Sequence, residues 1–320
     1  MQNNSIFCFI LPRRSWKWLV LTIALGPLLG NKLCQADSLE MKEIKLPPLQ
    51  LSGKPASAHT QGLEVVEDKF FVTARRDDVR PRRALLLRTG VSERHWDFWD
   101  ITPIDPTGGA SGLDHPGGMQ SDGKRLWIPI AESKPKSRSI IRVFPVTAMV
   151  AGAPLKAEFE FPFNDHIGAL AVATDHGLVF GANWDTEVVY VWDMKGHLTR
   201  TLTGQEVRIR GLGIAGLDKS AGVAIQDWKA MGDRLFASGL SKTPASGPIS
   251  SRSQFVSFTG FSEANFQRKP VALPLYEGIE LAREAMTISD GFVYFLPQDL
   301  GESNRLFKVP FRILAGTSGD

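Results

Sequence analysis

Five short segments of this chain share one ending, a small residue followed by leucine or methionine. They are HTQGL (59–63), HPGGM (115–119), HIGAL (166–170), DWKAM (227–231) and AREAM (282–286). Their small residues, at 62, 118, 169, 230 and 285, lie 56, 51, 61 and 55 residues apart. A period of this length marks units that bury their apolar faces against one another, and it suits the blades of a propeller.

A second column follows each segment: DKFFVTA, GKRLWIPIA, HGLVFGAN, GDRLFASG and DGFVYFLP. Each places Gly or Asp turn residues before an aromatic or β-branched run, as the second strand of a hairpin does. A third column reads ALLLRT (84–89), SIIRVFPV (139–146), EVVYVWDM (187–194), SQFVSF (253–258) and NRLFKVPF (304–311). Four units add an outer strand: HWDFWDITP, KAEFEFPF, HLTRTLTG and KPVALPL. The fifth has none, but EIKLPPLQL (43–51) near the N-terminus is similar to KPVALPL. The expectation is an all-β, five-bladed β-propeller whose N-terminal strand completes the last blade and so protects the terminal edges. A sixth blade would have to lie in the longest interval, 169–230.

Residues 1–36 read as a signal peptide. Arg13, Arg14 and Lys17 form a basic start, Trp18 to Leu29 is an apolar run short for a membrane span, and Cys34-Gln35-Ala36 offers a cleavage site. A retained anchor is the alternative. Residues 37–320 then form one propeller domain, secreted or periplasmic, without a stable membrane span after cleavage, and expected as a monomer. The leader carries four of the 37 basic residues and none of the 34 acidic ones, so 33 basic residues remain against 34 acidic. The basic pI of 8.8 belongs to the leader, and no nucleic-acid partner is implied. Both cysteines, Cys8 and Cys34, also lie there, which excludes disulfides and thiol chemistry from the domain.

Antiparallel blades place the links into each inner strand on the same face as the links between second and third strands. The segment opening each inner strand therefore rims one mouth of the central channel. Three residues before the small position stand His59, His115, His166, Asp227 and Ala282. One residue before it stand Gln61, Gly117, Gly168, Lys229 and Glu284. Side chains two apart on a strand share a face. Three of the six histidines thus fall in one column. Imidazole and carboxylate suit a divalent metal (Zn²⁺, Mn²⁺, Fe²⁺ or Ca²⁺) held by His59, His115, His166 and Asp227. Such an ion makes a nucleophile of bound water, with Glu132 or Glu284 as general base, in a hydrolase or lactonase-like reaction. The second reading is a non-catalytic site for a small polar molecule or a partner, contacted by Gln61, Arg75, Trp184, Asp185 and Lys229. In the third, the histidines only tie neighbouring blades. Asp114 and Asp165 read as turn residues. No serine elbow, P-loop or dinucleotide fingerprint is present, and GLGIAG (211–216) lacks the required spacing.

The stretches HTQGLEVVEDKFFV, HPGGMQSDGKRLWIPIAES and NDHIGALAV resemble secreted β-propeller proteins of unassigned function from bacteria and fungi. That likeness implies the fold. HTQGL is also similar, more distantly, to the Phe-Thr-Gln-Gly-Leu motif of plant-type glutaminyl cyclases, five-bladed propellers that cyclise N-terminal glutamine. Thr60, Gln61, Gly62 and Leu63 match, with His59 in place of Phe. Those enzymes keep a glutamate before the small residue of the second repeat. This chain has Gly117 there, while Glu284 sits on the same ring in another blade.

Overall fold

Runs of valine, isoleucine and aromatic residues between Gly- and Asp-bearing turns make the strands. The turn at Asp290-Gly291 shows why those turn residues are needed. Its φ angles are 50° and 76°, the left-handed pair that a tight hairpin requires. The computed structural model describes residues 40–105, 111–184, 186–203, 223–241, 253–259 and 267–315. The leader, Asp185, the 211–216 stretch and most of residues 241–253 fall outside the described residues.

The described strands form five antiparallel blades, four strands deep, and in blades one to four they are laid from the axis outward in chain order. Blade one runs His59–Val66, Lys69–Arg76, Arg83–Gly90 and Asp97–Asp100. Blade two opens on Leu113–Pro116, with Gln120–Ser121 further along, and continues through Arg125–Glu132, Ser139–Pro145 and Phe159–Phe163. The inner strands of blades three, four and five are Ile167–Ala173, Val223–Met231 and Ala285–Ser289. In blade five the outermost strand is Lys42–Leu46, antiparallel to Asn304–Pro310 with Ile44 opposite Leu306. The ring therefore closes with the N-terminal strand, as the likeness of EIKLPPLQL to KPVALPL implied. Between blades, Trp127, Trp192 and Trp228 are fully buried. No helix among the described residues is long and apolar enough to cross a membrane.

The register corrects the repeat alignment in blade four. Inner strands bulge near the mouth, between Thr60 and Gly62, between Ile167 and Ala169, and between Ile225 and Asp227. The extra residues are Gln61, Gly168 and Gln226. Past the bulge, Gly62 pairs Thr73, Ala169 pairs Ala182 and Asp227 pairs Ser238. Asp227, not Ala230, is thus the counterpart of Gly62. Ala224 takes the histidine position, and Gln226 takes the place expected for Lys229.

That shift puts a carboxylate on the axis. Asp227 Oδ2 accepts the N–H groups of Leu63 (2.9 Å) and Met286 (3.1 Å), from blades one and five. Its Oδ1 accepts Trp228 N–H (2.9 Å) and Lys229 Nζ (2.6 Å). Burial pushes the Asp227 carboxyl up, while Lys229 and the backbone donors pull it back. Lys229 Nζ also donates to Met119 O at 2.5 Å, in blade two. Glu64 accepts Thr287 Oγ1 (2.9 Å) and Ser121 N–H (3.1 Å). Gln120 Oε1 accepts Val172 N–H (2.8 Å) and Ala230 N–H (2.7 Å). These four side chains tie all five blades together and fill the centre.

Candidate functional site

Above that plug, the mouth is a cavity of about 410 Å³. His59, Gln61, Arg75, His115, His166, Trp184 and Glu284 all line it, as the two columns and the loop geometry led one to expect. Asp227 and Lys229 do not, because they lie deeper, on the axis. Glu132 does not line it either. Its carboxylate is held by Lys134 (3.0 Å) and Arg138 (2.7 Å), and only its backbone carbonyl serves the site. Four lining residues escaped the sequence reading: Ile225 and Gln226, hidden by the blade-four register, Leu240 at the end of a second strand, and Arg283, inside AREAM.

The hydrogen bonds assign the protons. Asp77 grips Arg75 with two oxygens, Oδ1 to Nε at 2.8 Å and Oδ2 to Nη2 at 3.0 Å. Arg75 Nη1 reaches His115 Nδ1 at 2.8 Å. A guanidinium only donates, so Nδ1 accepts and Nε2 carries the hydrogen. His115 Nε2 then donates to Gln61 Oε1 at 2.9 Å, which turns the Gln61 amide nitrogen outward as a donor. Burial, then the neighbouring His166 and Arg75, push His115 well below the ordinary histidine value. It is a neutral ring with both nitrogens committed.

His166 has the opposite tautomer. Its Nδ1 faces two carbonyls, Glu132 O at 2.8 Å and Lys134 O at 3.1 Å. Carbonyls only accept, so Nδ1 carries the hydrogen and Nε2 is a bare lone pair. Nε2 has no hydrogen-bond partner among the described residues. Burial lowers the His166 pKa, against the pull of those carbonyls. Trp184 packs edge-on against the ring at 4.5 Å between centroids, and His115 does so at 5.2 Å. His59 differs from both, since its Nδ1 meets Asp299 Oδ1 at 2.7 Å. That bond raises its pKa despite burial.

Glu284 is buried, with Arg283 Nε on its Oε1 at 3.1 Å. Burial pushes its carboxyl up from 4.5 to about 7. The unfolded side chain therefore loses its proton first as pH rises, and between 4.5 and 7 the folded state alone holds it. Stability from this group is present at low pH and declines across that window. Glu284→Gln should make the protein more stable than wild type at pH 8 by on the order of 2 kcal/mol, with the difference vanishing at pH 4. Denaturant titrations at the two pH values check this, and parallel pH profiles would contradict it.

The donors do not fit a divalent ion. No group of three or more His, Cys, Asp or Glu among the described residues is arranged to hold one. His115 has no lone pair to spare, and Arg75 places a positive charge beside it. Asp227, the expected fourth ligand, has both oxygens occupied on the axis.

A family of unknown function (DUF6454) matches residues 37–279. Curated proteins give no match. Among solved structures, an engineered GH43 glycoside hydrolase with endo-xylanase and exo-arabinofuranosidase activity aligns with a TM-score of 0.51 at 12% identity, over 84% of this chain and 51% of that one. The catalytic domain of Coprinopsis cinerea GH62 α-L-arabinofuranosidase gives 0.48 at 10%, over 84% and 97%. Phage phi92 endosialidase gives 0.47 at 9%, over 85% and 69%. At that identity the likeness to the GH43 enzyme reports the fold alone.

Proposed function

We propose, for a chain that belongs to the DUF6454 family of unknown function, that the mouth pocket binds a small polar molecule without a metal ion. One observation carries this reading. The hydrogen-bond network fixes His166 with Nε2 unpartnered in the wall of a cavity whose volume suits a small ligand. Around that acceptor stand a donor, the Gln61 amide nitrogen, the Arg283 guanidinium, and an aromatic wall, Trp184. The ligand thus meets both donors and acceptors, and one flat apolar face.

The GH43 enzyme shares the fold, but glycoside hydrolysis needs a pair of carboxylates across the bond. Among the described residues the lining holds one, Glu284. The cyclase likeness meets a different obstacle. A Cβ at Gly117 would lie 2.2 Å from Gly168 O, so this position has no room for the glutamate. Export is part of the proposal. The family match begins at residue 37, directly after the expected cleavage at Ala36.

Thermal-shift and calorimetric titrations with small polyols, hydroxy acids, lactams and an N-terminal glutamine peptide test the reading, all in EDTA. A binding ligand should lose at least tenfold affinity in Trp184→Ala and in His166→Ala, with melting temperatures near wild type. Stoichiometric metal in the purified protein, with binding lost on chelation, would restore the metal reading instead.

A further inference from the structure

We propose that His166 and Glu284 act as a base–acid pair that hydrolyses a small carboxylic ester or lactone in the mouth pocket, a step that rests on the binding role assigned above. The lining determines the reaction class. The described lining residues include no serine, threonine, cysteine or lysine, and the nucleophile in the proposed reaction is water. His166 is already in the tautomer a base needs. The carbonyls of Glu132 and Lys134 hold its Nδ1 hydrogen and stabilise the imidazolium once Nε2 gains a proton. The Gln61 amide nitrogen is fixed as a donor through the Asp77–Arg75–His115 chain. With Arg283 it supplies the positive edge for an acyl oxygen.

The step balances without a further reactant. His166 Nε2 takes a proton from water as the water oxygen bonds to the acyl carbon, and the carbonyl pair moves onto the acyl oxygen. When the carbonyl re-forms, the ester C–O bond breaks, and the alkoxy oxygen takes the Glu284 proton. The products are a carboxylic acid and an alcohol. His166 returns its proton to Glu284 through solvent.

The pair is set for this exchange. His166 faces Asp165, the residue before it, the Glu132 and Lys134 carbonyls, and the neutral His115. Glu284 faces Arg283, the His59 ring and Asp299. Burial lowers the first group and raises the second, so a base and an acid coexist near neutral pH.

The test is pH-stat hydrolysis of γ- and δ-lactones and short-chain esters by the mature protein in EDTA, with calorimetry of the matching lactams. The expected result is EDTA-resistant turnover. Its kcat/KM should fall on the acid side below the ordinary histidine value of 6.5 and on the alkaline side near 7. His166→Gln and Glu284→Gln should each lower kcat by about 10²- to 10⁴-fold, with lactam affinity within about tenfold of wild type. Glu284→Gln should also lose the alkaline limb. Lactam binding without lactone turnover overturns the hydrolysis and leaves the binding role standing. No binding across the polar panel overturns both. Turnover unchanged in His166→Gln overturns the assignment of the base. The wild-type pH profile needs no variant, so a variant that misfolds leaves it decisive.

Discussion

Replacing Asp227 with alanine should reduce folding stability by about 3–5 kcal/mol. The change leaves the Lys229 ammonium buried without its anion and removes the acceptor from three N–H groups, those of Leu63, Trp228 and Met286. Asp227→Asn keeps the shape but not the charge, so its loss should be smaller. Combining Asp227→Asn with Lys229→Met should cost less than the two single losses together, because no unpaired charge remains. Guanidinium titrations read all four proteins. A loss below about 1 kcal/mol in Asp227→Ala would mean that water enters the axis and replaces the missing bonds.

Gly117→Ala should be nearly as damaging, at about 3 kcal/mol. Its Cβ would lie 2.2 Å from Gly168 O and 2.7 Å from the carbon of that carbonyl. Both are backbone atoms of the neighbouring blade and cannot rotate away. The contact sits where blades two and three bond directly, Gly118 N–H to Gly168 O and Leu170 N–H to Gly118 O, each 2.9 Å. Separating them would strain the ring. Gly168→Ala is the control. Its nearest neighbour would be His166 Cδ2 at 3.8 Å, an ordinary contact, so its stability should stay close to wild type. Equal losses in the two variants would refute the steric account.

The fold was legible because its signals are local and repeated. Turn residues followed by Phe-, Val- and Trp-rich runs recur at a steady period, and the KPVALPL-like strand gave away the closure. The histidine column was legible for the same reason, since one strand position recurs in three blades. Blade four was misread because the alignment required a small residue followed by leucine or methionine in every unit. The axis instead takes one carboxylate, and Asp227 occupies the place of Gly62. The WKAM ending supplied a convincing false match three residues later. The proton assignments were out of reach for another reason. Arg75 and His115 are 40 residues apart, and Asp299 lies 240 residues from His59. No local spacing reports such pairs.

The charged plug has a consequence for what kind of molecule can be served. With Asp227, Lys229, Glu64 and Gln120 across the middle, the propeller is a cup and not a pipe. A long chain cannot be threaded through it and gripped halfway. Only a free molecule, or the terminus of a longer one, can reach the pocket that His166 and Glu284 line. Whatever enters must also leave by the same opening, so a large product shields the site until it departs.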